Sequence, residues 1–171
     1  MQWAFDPAHS QIQFAVKHMG ISTVRGVFEV FTATITETDG TPTAVHVDID
    51  VASLTTNNAQ RDGHLRSPDF FDVEQHPKAS FTLTQFTRTG DQVTATGTLT
   101  IKGVSQAVTL TGEVGGPAKD PWGNQKVSAE LETTISRQAF GLTWNVALEA
   151  GGVLVSDSVR LRIDVQAAPA A

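Results

Sequence analysis

Apolar and polar residues alternate along most of this chain, at the two-residue period of a β-strand with one buried face. Ile12, Phe14 and Val16, for instance, are separated by polar or small residues, and Leu161 and Ile163 alternate with arginines. Eight such runs, separated by turn segments, predict an all-β protein that is either an up-and-down barrel or a sandwich. Closure into a barrel leaves no exposed sheet edge, so the pattern favours the barrel.

The apolar positions change phase within residues 24–38. Val24, Gly26, Phe28 and Val30 lie at even-numbered positions, whereas Phe31, Ala33 and Ile35 lie at odd-numbered positions. A single flat strand cannot bury both sets on one side, so we predict a β-bulge near residues 29–31. Long, bent strands of this kind are what a closing barrel requires.

Turn residues set the boundaries of the predicted elements. Glycine-containing turns at residues 38–42 and 89–91 predict hairpins, and residues 115–124 predict a longer loop. We expect a single domain over residues 1–166, followed by a disordered tail at residues 167–171.

Residues 55–68 interrupt the alternation. A threonine or asparagine in this segment can cap a helix, whereas Gly63 and Pro68 keep any helix short. The sequence therefore predicts a short helical insertion near residues 56–67 in an otherwise all-β, eight-stranded antiparallel barrel.

The inward face of the barrel decides between a structural protein with a filled core and a protein that binds a ligand. The interior of an eight-stranded barrel either fills with side chains or holds one small ligand, and the strand pattern alone leaves both open. Inside an apolar lumen, each buried methylene of a hydrocarbon ligand contributes roughly 0.8 kcal/mol, whereas an unpaired polar group is penalised. The positions expected to line the lumen and bind an apolar ligand are Phe14, Val16, Phe28, Val47, Ile49, Phe81, Leu83, Leu99, Leu110, Leu131, Ile135, Leu161 and Ile163.

Composition and charge restrict the classes of partner. With 40% hydrophobic and 18% charged residues, the 171-residue chain has the composition of a soluble globular protein. The formal net charge of -6 argues against nucleic acid as a partner and disfavours anionic lipid surfaces. No run approaches the roughly 20 apolar residues of a membrane helix. The N-terminal residues 1–7 lack the pattern of a signal peptide, which predicts a cytoplasmic protein unless a leader has been removed.

Candidate chemistry is sparse. The chain has no cysteine, and its five histidines lack the spacing of a metal motif, so we expect no metal and no cofactor. A Gly-x-Ser-x-Gly nucleophile elbow and a glycine-rich phosphate loop are both missing, so we expect no catalytic activity.

One polar cluster and one aromatic group stand out near the predicted loops. Charged residues concentrate in the helical insertion, where they form either an ionic lock between helix and barrel or a polar mouth for a ligand head group: Arg61, Asp62, His64, Arg66 and Asp69. Large apolar residues near loops are expected to plug a barrel end or to line its entrance: Trp122, Phe140, Leu142 and Trp144.

Several motifs together resemble the YceI family, in the order in which that family carries them from about Trp3 to Val165. The most specific is the run Arg61-Asp62-Gly63-His64-Leu65-Arg66-Ser67, and weaker ones include Asp120-Pro121-Trp122-Gly123 and Ser136-Arg137. The resemblance implies an extended lipocalin-like fold and binding of a polyprenyl or other long-chain amphiphile in the lumen. It also implies that a homodimer can form, and many members carry secretory leaders.

The leading hypothesis is thus a protein that sequesters or transports a polyisoprenoid or fatty-chain amphiphile. One alternative is a structural or stress-response interaction protein with a filled barrel. Another is an enzyme that acts on an amphiphile with His64 as general base.

Overall fold

Strands follow the alternating runs of the sequence. The computed structural model describes residues 1–149 and 151–170. The strands are β1 (Gln2–Phe5), β2 (Gln11–His18), β3 (Ser22–Phe28), β4 (Phe31–Thr38), β5 (Thr41–Asp50), β6 (Leu54–Thr55), β7 (Lys78–Thr89), β8 (Gln92–Ile101), β9 (Val104–Lys119), β10 (Gln125–Ser136) and β11 (Val155–Pro169). One α-helix, α1 (Ala59–Arg66), precedes β7, and short 3₁₀ turns cover Pro7–His9, Val51–Ser53 and Gln138–Phe140.

The eleven strand segments occupy eight strand positions of a closed antiparallel barrel, and we call each position, whether continuous or interrupted, a stave. β1 and β2 pair with the same side of β11, so they form one interrupted stave. β3 and β4 form the second stave, in which β3 pairs with β2 and β4 pairs with β1. β5 and β6 form the third stave, in which β5 pairs with β4 and β6 pairs with β3. β7 to β11 follow in order, and β11 returns to the first stave. The predicted all-β, eight-stranded, lipocalin-like barrel with one short helix is confirmed.

The phase change in the sequence corresponds to a break between β3 and β4. Phe28 pairs with Ile12 at the end of β3, and Phe31 pairs with Ile49 at the start of β4. At the break, the amide of Val30 donates a hydrogen bond to the Ser53 hydroxyl at 2.9 Å. Phe28 and Phe31 both reach the interior because the stave is interrupted where the bulge was predicted, whereas Val30 at the break is 54% exposed.

Two predicted loop regions are strand instead. β9 runs on to Lys119, so the predicted loop at 115–124 shrinks to a turn in which Asp120 accepts bonds from the amides of Trp122 and Asn124. The disordered tail predicted from residue 167 is wrong for residues 167–169, which continue β11 and pair with β1. β1 needs a partner to close the barrel, and small alanines fit there: Ala167 is only 2% exposed. Residue 171 lies outside the described residues.

The helical insertion covers one end of the barrel. Asn58 caps α1 by accepting a hydrogen bond from the Arg61 amide at 3.0 Å, within the range predicted from the sequence. We call this the upper end, and it also carries the β2–β3 turn, the β8–β9 turn and residues 137–154. The β4–β5, β7–β8 and β9–β10 turns lie at the lower end.

Candidate ligand cavity

A cavity of about 230 Å³ lies in the upper half of the barrel, beneath α1 and residues 137–149 and 151–154. Its wall on the strand side consists largely of the inward apolar positions of the alternation. Part of the predicted lumen set lines it: Phe14, Val16, Phe28, Ile49, Leu99, Ile135 and Leu161.

The other predicted lumen positions lie along the same inward faces but outside the cavity wall: Val47, Phe81, Leu83, Leu110, Leu131 and Ile163. The Phe81 ring shows why the barrel is filled there. It occupies the space over Gly97, where a Cβ atom would come within 2.5 Å of the ring. Val93 and Ala95, 3% and 5% exposed, complete a packed lower half. The interior is therefore half core and half cavity.

The cover of the cavity comes from loops and the insertion. Phe140 and Leu142 are buried and line the cavity together with Trp144, as expected for residues that plug or border a barrel end. Trp122 does neither, because it lies in the β9–β10 turn at the lower end and is 83% exposed.

Sequence analysis missed several lining residues. Leu65, Phe70 and Phe71 of the insertion and Ala79 of β7 also line the cavity. The adjacent phenylalanines within a polar, aperiodic segment were the available signal, because such a pair has to be buried against something. The two rings contact different neighbours: Phe70 packs on Trp144 and Phe71 on Phe28.

Arg137 organises the loop that covers the cavity. It is 4% exposed and donates four hydrogen bonds to backbone carbonyls, from Nε to Ser156, from Nη1 to Leu142 and Trp144, and from Nη2 to Val155, at 2.7–3.1 Å. Burial lowers the pKa of Arg137, and the nearby charge of Asp157 acts in the opposite direction. The arginine thus joins both ends of residues 142–156 to the top of β10.

The polar cluster of the insertion fastens α1 to the barrel mainly through hydrogen bonds. Asp62 accepts bonds from the amide and hydroxyl of Thr56, and Arg61 donates to the Thr56 hydroxyl and carbonyl at 2.7 and 2.9 Å. Arg66 donates to the carbonyls of Ala52 and Leu54 at 2.9 and 2.8 Å. Within the described residues these arginines form no ion pair with Asp62 or Asp69, so the predicted lock is hydrogen-bonded rather than ionic.

His64 and Arg61 reach the cavity wall, whereas Asp62, Arg66 and Asp69 do not. His64 Nε2 lies 2.9 Å from Asp69 Oδ2, and its ring packs edge-on against Trp144 with 4.6 Å between centroids. Lys17 and His18 of β2 also border the cavity. The rim is therefore polar while the wall is apolar.

The pKa of Asp62 makes the attachment of α1 dependent on pH. Burial, the largest single influence, would raise this pKa, but the hydrogen bonds from Thr56 and the charge of Arg66 together outweigh it, and the pKa lies below its ordinary value. A carboxyl whose pKa is lower in the folded state stabilises that state above its unfolded pKa of about 3.9, and the contribution disappears as the pH falls through the folded pKa. We expect the protection factors of the α1 amides, taken against the intrinsic exchange rate at each pH, to fall over this acid range more than those in β8.

Asp62→Asn is the matched variant for this prediction. It should weaken α1 at neutral pH and remove most of the additional acid dependence of α1 exchange. Equal pH dependence of α1 exchange in the parent and in Asp62→Asn would contradict the assignment.

In residues 1–149 and 151–170, no three histidine or acidic side chains are grouped closely enough to hold a metal ion. No helix in the same residues is both long and apolar enough to cross a membrane.

Comparisons with known proteins place the whole barrel in one group. The family model described as the YceI-like domain matches residues 3–167. A UPF0312 protein of Pectobacterium atrosepticum is 40% identical over 137 residues, which cover 79% of this chain and 71% of that protein. The crystal structure of a Campylobacter jejuni YceI protein is 34% identical with a TM-score of 0.78, covering 91% of this chain and 90% of that one.

A more distant structure shares the fold. A polyisoprenoid binding domain from Saccharophagus degradans, described as implicated in plant cell wall breakdown, superposes with a TM-score of 0.74 at 16% identity. The superposition covers 98% of each chain.

Proposed function

Because this chain belongs to the YceI-like domain family, we propose that it binds the hydrocarbon chain of a polyisoprenoid or fatty amphiphile in the upper half of the barrel. We further propose that it sequesters or transports this ligand without catalysing a reaction. The observation that carries the proposal is an apolar cavity enclosed by the inward faces of the strands. The Saccharophagus degradans domain with the same fold is described as binding polyisoprenoid, which supports the choice of ligand class.

The chemistry of the wall supports an apolar tail. Aliphatic and aromatic side chains such as Phe14, Leu99 and Ile135 form it, and these offer no hydrogen bonds to a polar ligand. A polar molecule placed there would lose its bonds to water without replacement, whereas a hydrocarbon gains with each buried carbon.

The size of the cavity sets a condition on the ligand. An apolar cavity of roughly 150 Å³ accommodates one benzene molecule, so about 230 Å³ accommodates on the order of eight to ten carbon atoms. A longer chain fits if the cover that carries Phe140, Leu142 and Trp144 moves outward or if part of the chain extends through the rim. We propose that the tail enters first and that the head group stays beside Lys17, His18, Arg61 and His64.

Native mass spectrometry of the freshly purified protein, followed by organic extraction, tests the proposal directly. A stoichiometric prenyl or fatty chain is the expected result. Protein that arrives without such a chain, and then takes up neither geranylgeraniol nor oleic acid, would contradict ligand binding and favour a structural role.

Ala79→Phe is expected to weaken geranylgeraniol binding at least about tenfold, because a phenyl ring takes up most of a cavity of this size. Ala79 is 5% exposed and lines the cavity. Titration of geranylgeraniol by tryptophan fluorescence or calorimetry measures the change.

Ala107→Phe is the matched control for this variant, since Ala107 is exposed on β9 and pairs with Thr98. It should bind like the parent. Unchanged affinity in a folded Ala79→Phe would show that the ligand lies elsewhere.

The Asp69–His64 pair is the feature that would favour an enzyme, since a carboxylate that orients a histidine is a common arrangement for a general base. The proposal of a non-catalytic carrier predicts no turnover of prenyl or fatty esters by the parent protein. Turnover that disappears in His64→Gln would overturn it. Cytoplasmic location and homodimer formation stay predictions.

A further inference from the structure

Two loops joined by a backbone hydrogen bond expose large apolar side chains at the upper end. Met19 and Ile21 form the β2–β3 turn and are 47% and 82% exposed, while Val146 and Val153 of the neighbouring loop are 46% and 48% exposed. One hydrogen bond joins the two loops, from the Met19 amide to the Leu154 carbonyl at 2.7 Å. Within the second loop, the Leu154 amide donates to the Val146 carbonyl at 2.9 Å. We call these four side chains the apolar tip.

The composition of the tip is unusual for a turn in water. Met19 adopts a positive φ of 55°, a conformation that Gly, Asn and Asp adopt most readily. A turn selected only to reverse the chain would carry such residues. Single exposed apolar residues are common on protein surfaces, but four of them on two joined loops next to a cavity rim indicate a binding surface.

Exposed cations lie immediately below the tip. Arg25 and Arg160 flank Ala15 on three neighbouring strands, and Lys17 lies two residues further up β2 on the same outer face. All three cations are exposed, and within the described part of the chain none forms an ion pair. Glu149 in the second loop opposes them, and Asp69 and Asp157 carry further negative charge at the same end, although Asp69 is paired with His64.

We propose that this end of the barrel docks on an anionic lipid bilayer, with the apolar tip in the interface and Lys17, Arg25 and Arg160 against the head groups. Interfacial binding combines burial of an apolar group with attraction between cations and anionic lipid, and this surface offers both. The net charge of -6 predicted the opposite, but it describes the whole chain, whereas attraction falls off within a Debye length and depends on the local charges.

The charges favour a bilayer over a second copy of the chain. In a symmetric dimer the same patch meets itself, so Arg25 and Arg160 would face like charges. Because Lys17 and His18 also border the cavity, docking would place the cavity rim at the membrane surface. The significance of the rim position for ligand binding rests on the proposed function, whereas the docking proposal itself does not.

Vesicle flotation tests the docking surface. The parent protein should float with vesicles of phosphatidylcholine and phosphatidylglycerol, bind pure phosphatidylcholine weakly, and dissociate as salt is raised. Arg25→Gln/Arg160→Gln should reduce partitioning by roughly tenfold or more, since each cation near an anionic surface contributes about fivefold. Met19→Ser/Ile21→Ser should reduce partitioning by a similar factor.

Matched controls lie at the lower end of the barrel. Arg88→Gln/Lys119→Gln removes two exposed cations, and Trp122→Ser removes an exposed apolar side chain, so both should float like the parent. No flotation of the parent, or equal losses in the controls, would overturn the proposal. So would concentration-dependent self-association that Met19→Ser/Ile21→Ser removes, since the tip would then be a dimer interface.

The outcome is separable from that of the proposed function. Protein that binds geranylgeraniol in solution but does not float overturns docking alone. Protein that floats but takes up no chain overturns the proposed function alone.

Discussion

Arg137→Ala is expected to cost about 4 kcal/mol of folding free energy, because each buried carbonyl left without a donor costs roughly 1–3 kcal/mol. The variant removes the donors for four carbonyls of residues 142–156. Val155 keeps a bond from the Asn145 side chain, so the loss is smaller than the sum for four isolated groups. Denaturant unfolding measures the free energy, and hydrogen exchange should show that protection is lost first in residues 142–156.

Arg137→Lys distinguishes hydrogen bonding from charge. A single ammonium group cannot donate to four carbonyls arranged around a planar guanidinium, so lysine should restore little of the stability. Arg162→Ala is the control, because Arg162 is exposed and its contacts to Glu130 and Asp164 lie on the surface. A stability loss in Arg137→Ala no larger than in Arg162→Ala would contradict the role of Arg137.

Phe140→Ala should destabilise the fold and at the same time enlarge the space available to the ligand. Phe140 is 1% exposed and lines the cavity, so its truncation is expected to cost about 3–5 kcal/mol. The space vacated by the ring adjoins the existing cavity. We therefore expect the variant to bind geranylgeraniol more tightly relative to a short prenyl alcohol than the parent does, as measured by calorimetry.

Leu54→Ala separates the two effects. Leu54 is also 1% exposed but does not line the cavity. Its truncation should cost about 2–5 kcal/mol without changing the preference for chain length. If both variants change the preference equally, the altered selectivity comes from loosening of the fold and Phe140 does not limit the cavity.

Sequence analysis could place the barrel because its signal is local. Alternation at period two marks each strand, and a phase change such as that between Phe28 and Phe31 marks a bend, whatever the partner strands are. The two misplaced segments lack this signal. Ala167 and Ala168 are small and appear featureless until the pairing with β1 is known, and β9 continues through Gly115, Gly116 and Pro117 because β10 pairs beside it.

The candidate site was predictable only in part. Phe14, Leu99 and Ile135 were found from their strand positions, and Phe140 and Leu142 from their place near a loop. Leu131 and Ile163 have the same alternation, yet they lie outside the cavity wall. Alternation gives the direction of a side chain but not its height in the barrel, and the height depends on strand register and on which rings fill the lower half.

The sequence by itself determined the strand faces, the bend in the third and fourth strands, the position of the helix and the apolar character of the interior. These follow from residue properties that act over a few positions. Only the tertiary structure decided that the interior is half filled, that Arg137 holds the covering loop, and that cations and apolar residues meet beside the cavity rim. Each of these depends on pairings between residues far apart in the chain, such as Met19 with Leu154 or Ala15 with both Arg25 and Arg160, and no local pattern specifies such pairings.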